Sequence, residues 1–329
     1  MHIVFVRHGE STNNVLLAKL RAEVVDKTKY DKARYDREKS HDPELSPLGK
    51  RQAARLAEWM PRYLATMNIE TAQTRIMCSP MERALGTAAP IAGTLGVQCE
   101  IRSDLHETKG CWAGGGKPLQ NGRTGDAILG KYGEEHFTLS AEAPLHAAGW
   151  WSNDDGTAKE CETTTEAFVR AHLVAQRLRA MALSATQPTL AMIVSHGQWL
   201  SLLMQALAAP TMGLSKVRLF AHDCTGVSSV VLPGVLGMSG KAPGVNIQGV
   251  NWGYHLDEEP AIPRSASHFI LKGFGGVGRR PDSWTSPRSE AEIDAANAEE
   301  ARRRGATTAS LVVAALLAVA ACVARGSKK

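Results

Sequence analysis

The chain has 329 residues, 43% of them hydrophobic. That is enough to bury a sizeable core, as one large α/β domain or two smaller ones, and it excludes disorder throughout. The formal net charge is +5, yet from Arg264 onward there are 11 Lys/Arg against 6 Asp/Glu and before it 27 of each. The body is therefore neutral, which argues against an extended nucleic-acid footprint and places the excess in a C-terminal stretch suited to a membrane surface.

Met1 to Val6 is a short apolar run without alternation, as a buried central strand requires, and it stops at Arg7-His8-Gly9-Glu10-Ser11. Ligands of open α/β sheets gather at the carboxyl ends of such strands, where His8 would sit. Val15 to Lys39 is dense in charge of both signs and reads as a solvated helix or lid-like insertion, with some cations at the rim of an anion pocket. His41-Asp42-Pro43 breaks it. Leu45-Ser46-Pro47-Leu48-Gly49 then leads into a helix through Gln52 to Met60, capped by Ser46 with Pro47 at its first position.

Thr74 to Cys78 is the next strand, closed by Ser79-Pro80, and the following helix carries Arg83 in its first turn, where backbone amides favour an anion. Gly96 to Ile101 reads as a strand, with Leu105-His106-Glu107 in the loop after it. Gly114-Gly115-Gly116-Lys117 lacks the spacing and the Ser/Thr ending of a phosphate-binding loop and reads as a flexible loop. Asn121 to Trp151 is irregular, with one helix near Asp126 to Tyr132. Glu166 to Ala185 is amphipathic and entered through Thr163-Thr164-Thr165. Leu190 to Val194 is a second buried strand ending in histidine and glycine, Ser195-His196-Gly197. An apolar helix over Trp199 to Leu207 and a strand over Gly226 to Leu232 complete the body.

The body, residues 1–272, is followed by a linker over 273–304. Gly305 to Ala324 then supplies 20 residues without a charge, flanked by arginines and, over 325–329, a basic tail. That length crosses a hydrocarbon core as a helix, although its many alanines also suit a buried or dimerising helix. The expected arrangement is a single-pass C-terminal anchor with the body in the cytosol, at the mitochondrial outer membrane or the endoplasmic reticulum. The six cysteines (Cys78, Cys99, Cys111, Cys161, Cys224, Cys322) include no C-x-x-C pair, and no signal-peptide pattern opens the chain. Both features suit free thiols in a reducing compartment, with no zinc-site spacing.

Arg7, His8, Arg83 and His196 would meet if their strands are neighbours. Two guanidinium groups can each donate paired hydrogen bonds to a phosphoryl group. One neutral imidazole is a competent nucleophile, and the other, protonated, would add a donor. Phosphoryl transfer needs mainly positioning and charge stabilisation, so no metal or other cofactor is demanded. Glu107 is the candidate to protonate a leaving alkoxide. The other histidines, among them His2, His106, His222 and His255, read as ordinary surface or core residues.

Arg7-His8-Gly9-Glu10-Ser11, Ser79-Pro80-Met81-Glu82-Arg83-Ala84, Leu105-His106-Glu107 and Val194-Ser195-His196-Gly197 together resemble the successive motifs of the histidine phosphatase superfamily, the phosphoglycerate mutase-like family. The resemblance covers roughly Met1 to Lys272. It implies a three-layer α/β/α sandwich with a mainly parallel central sheet, to which this chain would add the C-terminal transmembrane helix. It implies His8 as the phosphorylated nucleophile, Arg7, Arg83, His196 and Gly197 at the phosphate, and Glu107 as the acid that later activates water. Asn14 matches the family's asparagine six positions after the nucleophile, and Leu45 to Ala53 matches its Leu-Thr-x-x-Gly-x-x-Gln-Ala run.

Two segments depart from the pattern: the insertion before Leu45 is longer than in short members, and Gly110 to Gly115 follows the family's Gly-x-Trp-x-Gly region only loosely. Both border the substrate side. The leading expectation is a phosphatase acting on a phosphorylated metabolite or phosphoprotein. The alternatives are a phosphoglycerate mutase-type phosphotransferase and an inert membrane-anchored scaffold. A homo-oligomer is compatible with any of these.

Overall fold

The computed structural model describes residues 1–26, 29–208, 222–232 and 245–252. The chain divides into two units, Met1–Val277 and Gly278–Lys329, and every described residue belongs to the first. The linker 273–304, the expected membrane span 305–324 and the tail 325–329 lie outside the described residues. Among the described residues no helix is long and apolar enough to cross a membrane.

In chain order the elements are β1 (His2–Arg7), α1 (Thr12–Ala22), α2 (Lys32–Glu38), α3 (Pro47–Thr66), β2 (Thr74–Cys78), α4 (Glu82–Leu95), β3 (Cys99–Ile101), α5 (Gly125–Tyr132), β4 (Phe137–Leu139), α6 (Thr164–Ser184), β5 (Leu190–Ser195), α7 (Gly197–Ala208), β6 (Val227–Val231) and β7 (Asn246–Trp252). The seven strands form one mixed sheet in the order β4-β3-β2-β5-β1-β6-β7. β4, β3, β2, β5 and β1 are mutually parallel, and β6 and β7 add an antiparallel edge.

The apolar runs are explained by burial on both faces. Val4, Val6, Ile76, Cys78, Met192 and Val194 point into a core closed by Leu56, Met60, Leu85 and Ile91 of α3 and α4. Ile3, Phe5, Ala191 and Ile193 point the other way, onto Val174 and Leu178 of α6 and Leu200 and Leu203 of α7. Alternate residues of one strand thus serve opposite cores, so no polar residue interrupts β1 between Ile3 and Val6, all fully buried. Each such side chain contributes about 1.5–3 kcal/mol. This is the three-layer arrangement.

Several boundaries differ from expectation. β3 begins at Cys99 because Gly96 is the left-handed cap of α4 (φ +63°) and carries the chain across to the sheet. β4 and β7 were not anticipated. The charged insertion resolves into α1 and α2. The triple glycine is a packed turn: Gly114, Gly115 and Gly116 are all left-handed, and a Cβ on Gly115 would stand 2.9 Å from the Asp36 carbonyl oxygen of α2. Cys78, Cys99, Cys111, Cys161 and Cys224 are free thiols, and Cys322 lies outside the described residues.

Candidate active site

The register places three strand ends side by side. Arg7 is paired with Ser195 and Cys78 with Val194, so the residues that follow, His8, His196 and Ser79, emerge together at the carboxyl edge. The His8 amide donates to the Ser195 carbonyl (2.9 Å) and the Ser79 amide to the Val194 carbonyl (3.1 Å), which extends the ladder into the loops. The rings of His8 and His196 are 5.1 Å apart between centroids, both buried.

The Leu45 to Ala53 run holds the first of these loops. The Ser46 amide donates to the Glu10 carbonyl (2.8 Å), the Ser46 hydroxyl to the Glu10 carboxylate (2.7 Å), and the Glu10 amide to Gln52 Oε1 (2.9 Å). Gly49 lies so close that a Cβ would stand 2.0 Å from the Glu10 carbonyl oxygen, which no other residue permits. The run is thus a clamp on the Arg-His-Gly loop. The Gly9 amide donates to Thr87 Oγ1 (3.0 Å), which ties the loop to α4 as well.

The tautomer of His8 is fixed by its partners. Nδ1 lies 2.6 Å from the Gly9 carbonyl oxygen, which only accepts, so Nδ1 carries the proton. Nε2 accepts from Nε of Arg83 at 3.1 Å. Burial first, then the charges of Arg83 and Arg7, hold the imidazole well below its usual pKa. His8 is therefore neutral with its Nε2 lone pair aimed at Arg83. His196 shares a 2.8 Å hydrogen bond with the Ser79 hydroxyl through Nε2, and its Nδ1 has no partner. Burial and then Arg83 hold it well below its usual pKa too. The expectation of one protonated imidazole thus fails for the ligand-free pocket, where two buried arginines already supply the positive charge.

Arg7 ends β1 and donates to the His222 carbonyl (2.6 Å), and a Cβ on Gly197 would stand 3.3 Å from its Nε. Gly197, the first residue of α7, therefore lies against this guanidinium. Arg83, in the first turn of α4, is also buried; its Nη1 lies 3.8 Å from Asp42 Oδ1. Asn14 caps α1, its Oδ1 accepting from the Ser11 amide (3.0 Å) and hydroxyl (2.8 Å). Glu107 accepts at Oε1 from the Thr108 and Trp199 amides (2.9 and 3.0 Å) and at Oε2 from the Gln198 amide (3.4 Å), so it sits at the amino end of α7 next to His196. Its charge is among those Arg83 feels.

Three features were missed in the sequence. The loop bearing Glu107 is strapped from outside: Arg170 of α6 donates to the Asp104 and His106 carbonyls (2.9 Å each) and grips both oxygens of Glu162 (2.8 Å each). Although burial opposes it, the His106 ring 3.4 Å away and the paired bonds of Arg170 hold Glu162 at about 2, so its pair with Arg170 stays ionised. Ser195 adds a hydroxyl bond to the Leu105 carbonyl (2.7 Å).

The third is Asp42. Its Oδ1 accepts from the Glu82 amide (3.0 Å), Oδ2 has no partner, and burial pushes its carboxyl from 3.8 to about 7 against the pull of Arg83. A carboxyl raised in this way holds, between those values, a proton that the unfolded chain releases. Stability therefore falls as pH rises through that window, by up to about 4 kcal/mol. Asp42→Asn should be favoured over the parent increasingly from pH 5 to pH 8 in denaturant titrations. A difference that stays constant across those pH values would contradict this.

Among the described residues no three His, Cys, Asp or Glu side chains converge as a metal site requires. Two imidazoles and two guanidiniums thus lie at the carboxyl edge of the parallel strands, an arrangement whose chemistry suits a small oxyanion beside a nitrogen nucleophile. Residues 3–121 match the model of the histidine phosphatase superfamily (branch 1). No curated protein matches. Solved structures similar to it include a mycobacterial glucosyl-3-phosphoglycerate phosphatase with inorganic phosphate (17% identity, 77% of this chain, 98% of that one, TM-score 0.44). Another is the alpha-ribazole phosphatase of Shigella flexneri (18%, 77% and 97%, TM-score 0.44).

Proposed function

We propose that the chain is a phosphoric monoester hydrolase that works through a phosphohistidine on His8. The observation that carries this reading is the His8 tautomer: a neutral ring whose Nδ1 proton is held by the Gly9 carbonyl and whose Nε2 lone pair faces Arg83, in the field of Arg7. Arg83 occupies that lone pair in the free site. A phosphoryl dianion would draw the guanidinium onto its own oxygens and free Nε2 for in-line attack. The new N–P bond forms as the ester P–O bond breaks, and the leaving alkoxide takes a proton from Glu107. Water then attacks phosphorus and gives a proton to Glu107, and the N–P bond breaks to regenerate neutral His8.

The test is phosphate release by the full chain from p-nitrophenyl phosphate and a panel of phosphometabolites and phosphopeptides, with chelator present. Release that persists in chelator is expected, and a folded protein inert toward every ester overturns the reading. The same proposal holds the body at a membrane through residues 305–324, a reading supported by their uncharged length between basic flanks. Cell fractionation with and without Gly305 to Lys329 decides it; equal solubility refutes the anchor.

A further inference from the structure

The ring of His196 stands 5.1 Å from that of His8, and its state is decided one hydroxyl away. Ser79 follows β2 directly and is fully buried. Its Oγ accepts from the Met81 amide (3.2 Å), and Met81 is the N-cap of α4, the helix that carries Arg83 in its first turn. The same Oγ lies 2.8 Å from Nε2 of His196. One hydroxyl thus joins the start of the Arg83 helix to the second imidazole of the pocket.

A hydroxyl carries a single proton, so the direction of the Ser79–His196 bond can be worked out. If Nε2 were the donor, the Ser79 oxygen would accept twice, and its own proton would be buried with no acceptor among the described residues. Nδ1 of the ring would be unpartnered as well. If the hydroxyl donates to an unprotonated Nε2, Ser79 is satisfied on both sides and only Nδ1 is left over, which is the less costly arrangement in a buried site. The ring proton then sits on Nδ1, fully buried and without a partner, and an orphaned N–H of that kind calls for a ligand. The two imidazoles therefore share a tautomer and differ in what it exposes. In His8 the Gly9 carbonyl occupies the N–H and the Nε2 lone pair faces Arg83; in His196 the Ser79 hydroxyl occupies the lone pair and the N–H is left for an acceptor.

We propose that Ser79 is a positioning residue of the pocket: its hydroxyl locks His196 in the Nδ1–H tautomer and so presents an uncharged hydrogen-bond donor to an oxygen of the bound phosphoryl group. The use of that donor rests on the phosphatase reading. The tautomer itself is a property of the free protein and is measured without substrate. The Met81 contact serves the lock, because an oxygen that already accepts from a backbone amide is left with its proton to give to the ring. An uncharged donor also suits a pocket in which two guanidinium groups would resist a further cation.

The test uses the full chain labelled with ¹⁵N-histidine. Long-range proton–nitrogen correlation spectra distinguish the two tautomers, and the signals of His196 are those lost in His196→Asn. The parent should show His196 in the Nδ1–H form alone, and added inorganic phosphate should shift its Nδ1 resonance. Ser79→Ala should show both tautomers and bind phosphate about tenfold more weakly, the worth of one hydrogen bond to a charged group. Ser79→Thr keeps the hydroxyl and should keep the single tautomer. An Nε2–H form in the parent, or phosphate that binds without moving Nδ1, overturns the proposal. A single Nδ1–H form in Ser79→Ala overturns it even where phosphate binds more weakly, since loss of the Met81 contact alone would do that. Ester hydrolysis is scored separately: a locked tautomer in a folded protein that releases no phosphate leaves Ser79 in its role and removes the phosphatase reading, whereas turnover with an unlocked His196 does the reverse.

Discussion

His8→Ala should lower kcat/KM for any phosphate ester by about 10⁴-fold or more, since groups that act as one unit lose nearly everything when the nucleophile goes. Rapid acid or alkali quenching of the parent with a radiolabelled ester should trap a phosphoryl group that survives alkali and is lost in acid, as an N–P bond requires, and the label should be missing from His8→Ala. The pocket also fixes a pH signature. Burial, Arg83 and Arg7 hold the His8 ring well below its usual value, so the nucleophile stays neutral through pH 6.5 and the acid limb of kcat/KM should not fall there on its account. An acid-stable label, or a variant of unchanged activity, would remove His8 from the mechanism. Loss of fold is separable from loss of nucleophile, because the loop is held from outside the ring by Ser46, Gln52 and Thr87.

The position of His8 at a strand end was legible in the sequence for a structural reason. β1, β2 and β5 are buried on both faces, so their apolar runs are uninterrupted, and the polar residues that stop them stand out at the sheet's carboxyl edge. Local chemistry was equally plain at the helix starts: Ser46 caps α3 with Pro47 in its first turn, and Thr163 and Glu166 form a capping box on α6. β4 escaped notice because only Phe137 of its three residues is buried, so it has no run to read. β7 (Asn246–Trp252) carries Gly249 and the polar Asn246, Gln248 and Asn251 at the sheet's edge, so its sequence offers no apolar run to read.

What the sequence hid of the site depends on pairs distant along the chain. Asp42 reads as a break before Pro43 until α4 brings the Glu82 amide and Arg83 to it. Arg170 reads as one charge on an amphipathic helix until Glu162 and the carbonyls of the Glu107 loop gather around it. His222, whose carbonyl orients Arg7, acts through its backbone, for which side-chain identity is no signal. Asn14 reads only through the phosphate contact that the motif implies; its amide oxygen also caps α1, a local role that does not use the amide N–H groups such a contact needs.

Two carboxyl groups border the pocket, and their assignment is the second large prediction. Asp42, raised to about 7, has the acidity expected of a general acid near neutrality. Its placement argues against that part: Oδ1 is engaged by the Glu82 amide, and the group faces Arg83 from the side of α4. Glu107 sits beside His196, held by the amides of Thr108, Gln198 and Trp199. Glu107→Gln should keep the fold, since Oε1 can still accept from Thr108 and Trp199, while turnover of an alkyl phosphate drops about 10³-fold for want of a proton donor.

Dinitrophenyl phosphate, whose leaving group needs no proton, separates the two half-reactions. Glu107→Gln should release one equivalent of dinitrophenol in a fast burst and then stall, because water has lost its base and the phosphohistidine accumulates. Asp42→Asn should lower both esters alike and show no burst. If the leaving-group dependence and the burst appear in Asp42→Asn and are missing from Glu107→Gln, the proton passes through Asp42, and the amide cradle at the start of α7 positions the Glu107 loop without serving the chemistry.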